Sequence, residues 1–184
     1  SSANAMAAKA DLVIAIGTRL QDFTTGSWSI FQKSDHRILS INVGAYDAGK
    51  RNALPLVADA KVALESLTTA LGDHATESAN TALRDDWLSA VNFMTAAPQG
   101  NEIPSDSQVI GAAQRATKDD TVILGAAGSM PGELHKLWKT KQLNGYHMEY
   151  GFSCMGYEIA GGIGAKRAHP DREVVVMVGD GSYL

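Results

Sequence analysis

Apolar residues at the start of the chain fall in short runs separated by polar stretches. Ser1 to Ala10 reads as the tail of a helix, with Ala5, Met6 and Ala10 on one stripe. Leu12 to Ile16 is then apolar at every position and ends on Gly17. A run apolar on both alternations predicts a parallel strand covered on both faces. A second strand is predicted at Ile38 to Val43, after the polar stretch Gln32 to Arg37, and a third at Leu54 to Val57. Asp59 is placed to cap a helix whose apolar face is Val62, Ala63, Leu67, Ala70 and Leu71. Strands alternating with helical patterns predict βαβ units and a parallel sheet.

From Gly72 to Asn80 the composition turns polar, which predicts a boundary between domains. Leu83, Trp87, Val91 and Met94 recur at helical spacing and predict a helix over Thr81 to Ala96, ended by Pro98 to Asn101. Ser105 or Asp106 caps the next helix, with Val109, Ile110, Ala113 and Ala116 inward. Thr121 to Leu124 reads as a strand followed by a glycine-containing turn, Gly125 to Ser129. Met148 to Ala165 is rich in glycine, and its end, Tyr157 to Arg167, reads as a helix with something packed close to its backbone. Glu173 to Val178 is the last strand, and Gly179-Asp180-Gly181-Ser182 turns away from it. The expected fold is α/β, with mostly parallel sheets flanked by helices in two partial domains. These are residues 1–72 and 101–184, with a helix-bearing linker at 73–100. A central strand needs a crossover partner, yet the pattern stops at Leu184. The expectation is a piece of a longer protein.

Composition narrows the function. The chain has 184 residues and a formal charge of -4, without a clustered basic patch, which argues against nucleic acid as a partner. The longest purely apolar runs, Leu12 to Ile16 and Val174 to Val178, are far short of the ~20 residues that span a bilayer, so no membrane role is expected. A single cysteine, Cys154, cannot form an internal disulfide, and a cytoplasmic, reducing location is expected. Cys154 reads as a small buried thiol rather than a nucleophile. Trp87, Trp138 and Phe93 read as core or interface residues.

The strongest chemical signal is the strand that runs into Gly179-Asp180-Gly181-Ser182. It puts a carboxylate at the carboxyl end of a parallel sheet, where open α/β folds bind ligands. Gly179 and Gly181 leave backbone exposed to a phosphate, and Asp180 is suited to a hard cation such as Mg²⁺. An ordinary turn after a strand fits equally well. Gly125 to Met130 taken alone is a simple loop. Tyr150 to Ala165 crowds glycines together, but the spacing is wrong for a dinucleotide fingerprint and no strand is expected just before it. Gly17-Thr18-Arg19 after the first strand leaves open a nucleotide-binding Rossmann module, sirtuin-like or dehydrogenase-like, with adenine nucleotide near residues 17–26.

Three turns in order, Gly128-Ser129-Met130, Ser153 to Gly156 with its glycine-rich helix, and Gly179 to Ser182, resemble the diphosphate-binding domain of thiamine-diphosphate enzymes of the acetolactate synthase type. The upstream half, with Ile14 to Arg19 and Ile41-Asn42-Val43, resembles their middle domain. Within the family, the segments Gly128 to Trp138 and His147 to Gly162 are most similar to the hydrolases that open a trihydroxycyclohexanedione ring in myo-inositol breakdown. The resemblance implies thiamine diphosphate and Mg²⁺ as cofactors, with Asp180 a metal ligand and Gly179 in the same turn. It implies that Gly181 and Ser182 offer backbone donors to phosphate, with Gly128, Ser129 and Met130 beside it. It also implies that Met155 wedges between the cofactor rings and that the Ser153 carbonyl accepts from the aminopyrimidine amine. No catalytic side chain is expected within these residues, because the activating glutamate belongs to another domain and the second side-chain metal ligand falls beyond Leu184. The implied reaction is C–C cleavage of a cyclic diketone substrate, completed by water to give 5-deoxy-glucuronate, in a homodimer or homotetramer. Carboligation or decarboxylation of 2-oxoacids is the alternative within the family. For the 184 residues alone, a folded piece without ligand affinity or activity is expected.

Overall fold

A computed structural model describes residues 1–32, 36–75 and 81–184. Parts of the expected polar stretch before the second strand and of the expected linker lie outside the described residues. The chain divides into two compact units, Ser1–Trp87 and Leu88–Leu184.

The first unit contains α1 (Ser2–Lys9), β1 (Leu12–Ile16), α2 (Asp22–Thr25), β2 (Arg37–Asn42), α3 (Ala45–Ala48), β3 (Leu54–Val57) and α4 (Ala60–Leu71). Its sheet has the order β1-β2-β3 with both pairings parallel. Side chains alternate across a strand, so Val13, Ala15 and Ile38 face one side and pack with Leu20, Trp28 and Ala53. The opposite side is covered at Ile41 of β2, which is buried, but not along its flanking strands: Leu12, Ile14, Ile16, Leu54 and Leu56 are exposed, from 40% at Ile16 to 68% at Leu54. The expected coverage of β1 on both faces is therefore found on one face only among the described residues. Asp59 caps α4 as its sequence implies, its Oδ1 accepting from the N–H of Lys61 at 2.9 Å and of Val62 at 3.2 Å. Of the expected α4 face, Ala63 is buried and Leu67 half-buried, while Val62, Ala70 and Leu71 are exposed.

The second unit begins within α5 (Thr81–Met94) and continues with α6 (Asp106–Ala116), β4 (Val122–Gly125), α7 (Ser129–Leu137), β5 (Tyr146–Met148), α8 (Tyr157–Ala168), β6 (Val174–Val176) and α9 (Asp180–Tyr183). The sheet order is β5-β4-β6, again parallel, with Leu124 of β4 beside His147 on one side and Val176 on the other. All of β4 is buried, as a central strand with helices on both faces should be. The glycines of α8 have the reason expected of them. A Cβ on Gly162 would lie 2.5 Å from Val176 Cγ2, and one on Gly161 would lie 3.2 Å from Leu124 Cδ2, so these positions let α8 rest on the sheet.

Several expectations need correcting. α6 turns Ile110 and Gly111 inward, while Val109 and Ala116 face out. The helix approaches the end of α5 too closely for a side chain, since a Cβ on Gly111 would sit 2.0 Å from the Thr95 carbonyl oxygen. Of the two places expected for Phe93, core or interface, the core is excluded, since its side chain is 84% exposed. Cys154 is exposed rather than buried, because its backbone lies in a turn held at the rim of the sheet. A strand, β5, does precede the Tyr150 to Ala165 segment, although the glycine spacing still excludes a dinucleotide fingerprint. The Gly125 to Met130 loop opens directly into α7, whose Pro131 and Gly132 conceal it as a helix in the sequence; proline is tolerated in a first turn.

Candidate functional site

Parallel strands send their carboxyl ends to one edge, so the order β5-β4-β6 places three connections side by side. After β4 comes Ala126 to Gly128, after β5 comes Glu149 to Gly156, and after β6 comes Met177 to Gly179. With the first residues of α7 and α9 these carry the three turns of the sequence reading: Ser129 and Met130 open α7, and Asp180 to Ser182, expected as a turn, open α9. Backbone hydrogen bonds tie their roots together: Glu149 N–H donates to the Gly125 carbonyl at 3.2 Å and Met177 N–H to the Leu124 carbonyl at 2.9 Å.

Gly128 has φ +120° and ψ 178°, a conformation that a side chain disfavours. It is the N-cap of α7 and no side chain caps that helix, whose first α-helical hydrogen bond runs from Gly132 N–H to Gly128 O at 3.2 Å. The N–H groups of Ser129 and Met130 are thus left at the edge with no hydrogen-bond acceptor among the described residues. An anion suits such a helix start.

On the β6 side, Asp180 and Gly181 are exposed and Ser182 is buried. Asp180 Oδ1 accepts from Gly181 N–H at 2.9 Å. Its other oxygen makes no hydrogen bond among the described residues. Ser182 N–H donates to the Gly179 carbonyl at 3.2 Å. The Gly181 and Ser182 N–H groups, expected as donors to phosphate, are here taken within their own turn, whereas those of Ser129 and Met130 have no acceptor among the described residues. A Cβ at Gly179 would meet nothing within 4 Å, so the turn is open to a bulky group.

The β5 connection supplies the third part. Ser153 is half-buried and holds φ +58°, uncommon for a residue with a Cβ. Met155 is 66% exposed although apolar, and its Sδ lies 3.6 Å from where a Cβ on Gly181 would be. Two carboxylates missing from the sequence reading shape this segment. Glu149 Oε1 accepts from Phe152 N–H at 2.9 Å and Oε2 from Cys154 N–H at 2.6 Å. These bonds, that to Phe152 foremost, hold the Glu149 carboxyl below the usual carboxylate range. Glu158 is fully buried; its Oε2 accepts from Gly156 N–H at 3.0 Å and its Oε1 has no partner. An acidic residue in the first turn of α8 is a sequence-level hint at Glu158. Glu149 gives no such hint until β5 is known to end at Met148.

Beside this edge, Tyr146 Oη lies 3.4 Å from His135 Nδ1, and the His135 ring meets the Tyr150 ring edge-on at 6.0 Å. Burial pushes both tyrosine hydroxyls up from their ordinary range. In the first unit, Gly17 takes φ +63°, but the helix after it, α2, has only four residues and Arg19 is turned onto the Gln21 Oε1 at 2.7 Å. That turn offers no long helix start to a nucleotide.

The three turns fit thiamine diphosphate on the character of their donors: unshared N–H groups for phosphate, open backbone beside them, and an apolar side chain standing over the glycine turn. For a divalent ion the set is partial. No group of three or more His, Cys, Asp and Glu side chains is assembled among the described residues. One free carboxylate oxygen is nevertheless what Mg²⁺ takes from a protein when phosphates complete its shell.

Comparison with known proteins agrees with this geometry. Residues 126–184 match the thiamine pyrophosphate enzyme C-terminal TPP binding domain, and residues 1–67 match the thiamine pyrophosphate enzyme central domain. A 3D-(3,5/4)-trihydroxycyclohexane-1,2-dione hydrolase of Geobacillus thermodenitrificans (strain NG80-2) is 41% identical over 207 residues, covering 100% of this chain and 32% of that protein. Proteins of the same name from Bacillus cereus (strain AH820) and Clostridium tetani (strain Massachusetts / E88) are 42% and 37% identical, covering 99% and 100% of the chain and 32% and 33% of their own lengths. The chain thus spans about a third of the length of the curated relatives it matches. No described helix is long and apolar enough to cross a membrane. With its sequence matched from both ends and its three turns gathered on one sheet edge, the chain belongs to the thiamine pyrophosphate enzymes.

Proposed function

We propose that this chain supplies the diphosphate-holding edge of a longer cytoplasmic enzyme that opens the ring of 3D-(3,5/4)-trihydroxycyclohexane-1,2-dione to 5-deoxy-glucuronate. The observation that carries the reading is the meeting of the β5 and β6 turns, Met155 Sδ against Gly181, beside the uncapped start of α7. The names of the relatives supply the substrate.

Thiamine diphosphate, when bound, supplies a carbon nucleophile and an electron sink for C–C cleavage. The protein's part is positional. Ser129 and Met130 N–H would donate to the diphosphate, and the free oxygen of Asp180 would hold Mg²⁺ against it. Gly128, Gly179 and Gly181 keep side chains out of the way, while Ser182, buried beneath, fixes the turn. Met155 would press on the cofactor's rings, and the Ser153 carbonyl would accept from its amino group. The single, exposed cysteine suits a reducing compartment. The active enzyme would be a homodimer or homotetramer that completes this edge with another domain.

Calorimetric titration of the full-length enzyme with thiamine diphosphate and Mg²⁺ tests the assignment. The wild type is expected to bind, and Asp180→Ala to bind about 10- to 100-fold more weakly and to lose ring opening of the dione. Equal affinity in both proteins would remove Asp180 from the site; no binding by the wild type would remove the reading as a whole.

A further inference from the structure

The segment between β5 and α8 has no strand or helix of its own, yet it must hold Met155 in one place. Its backbone is not relaxed, since Ser153, which carries a Cβ, sits at φ +58°. Left-handed conformations at residues with a Cβ persist only where their surroundings impose them. Here the surroundings are a carboxylate. Glu149 is anchored to the sheet through its N–H on the Gly125 carbonyl, and its side chain reaches forward so that each oxygen takes one backbone N–H, Phe152 at 2.9 Å and Cys154 at 2.6 Å. Those two residues flank Ser153. Gly156 N–H, two residues on, is taken by the buried Glu158. Every second N–H from Phe152 to Gly156 is therefore fixed by a carboxylate, and Met155 stands between the last two.

We propose that Glu149 is a positioning residue of the cofactor site: its two hydrogen bonds fix the turn that carries the Ser153 carbonyl and sets Met155 against Gly181. The inference rests on the reading of this edge as a thiamine diphosphate site. Glu149 touches no cofactor in this role and acts through the residues it holds. Both of its oxygens are spent on the turn, which leaves it neither a free base nor a metal ligand. Hydrogen bonds to an ionised acceptor are shorter and stronger than neutral ones, and Glu149→Gln replaces one acceptor with a donor facing another donor, which opens one half of the clamp.

Two measurements decide it. In the 184-residue chain, amide exchange followed by NMR is expected to speed up by about tenfold or more at Phe152 and Cys154 in Glu149→Gln, with β4 and β6 amides unchanged. In the full-length enzyme, thiamine diphosphate affinity at saturating Mg²⁺ is expected to fall about tenfold in Glu149→Gln, with the unfolding midpoint of the cofactor-free protein unmoved and Glu149→Asp recovering part of the loss. Wild-type binding with undiminished affinity in Glu149→Gln overturns the role of Glu149 alone. A wild type that binds no thiamine diphosphate overturns it together with the site. If the midpoint falls in parallel with affinity and Glu149→Asp recovers neither, Glu149 is a folding residue and the proposal fails.

Discussion

Glu173 stands immediately before β6 and spends its carboxylate on the start of β4. Its Oε2 accepts from Thr121 Oγ1 at 2.6 Å and from Lys118 N–H at 3.4 Å. Those bonds, the hydroxyl's first, hold its carboxyl below the ordinary 4.5. A carboxyl depressed in the folded state contributes stability that is fully present above its unfolded value and is lost as pH falls through the folded one. We expect Glu173→Gln to lower the urea midpoint at neutral pH, and the gap from wild type to narrow as pH drops below about 4.5. A gap that stays constant with pH would separate the shift from Glu173. At the same scale, the residues named at the turns came from the family resemblance, since glycine, aspartate and serine after an apolar run fit an ordinary turn equally well. Glu149 was not legible, since a glutamate's partners depend on where the chain turns back to meet it.

Helices and strands differ in how plainly the sequence announced them. α4 has an apolar repeat and an aspartate cap, and α6 a capping box of Ser105 and Gln108, so both were readable from local chemistry. β5 spans three residues and α2 and α3 four each, too short to establish any period. Which face of α6 turns inward was misjudged at Val109 and Ala116, because the neighbour that decides it, the Thr95 carbonyl, lies after α5 and admits only a glycine. Arg115 Nη1 donates to that same carbonyl at 2.7 Å, and Gln114 pairs with the Lys139 backbone in both directions, at 2.8 Å and 3.1 Å. We expect Gly111→Ala to cost about 3 kcal/mol in urea unfolding, as an overpacked contact against rigid backbone does. A loss within about 0.5 kcal/mol would mean that α6 can shift without penalty.

At the scale of the whole molecule, the described residues of the first unit leave Leu12, Ile14, Ile16, Leu54 and Leu56 exposed on one face of its sheet, and exposed apolar positions of that kind mark a surface that binds hydrophobic partners or dyes. We expect the 184-residue chain to bind anilinonaphthalene sulfonate at neutral pH while still unfolding cooperatively, and the double substitution Leu54→Ser with Leu56→Ser to reduce that fluorescence. No dye binding by the wild-type chain would show that the face is closed in solution.

The sequence by itself determined the α/β class, most strands and the longer helices, and the three turns to which the proposal gives the diphosphate, since each is written in residues close together along the chain. Tertiary structure alone decided that β4 lies between β5 and β6, so that turns distant in sequence share one edge. It also decided that Glu149 and Glu158 grip the intervening backbone, and that Gly181 and Ser182 spend their own N–H groups within their turn. The reason is physical: periodicity reports which side of an element is apolar, whereas the atom that meets it, or the acceptor that claims its N–H, is chosen by packing between segments far apart.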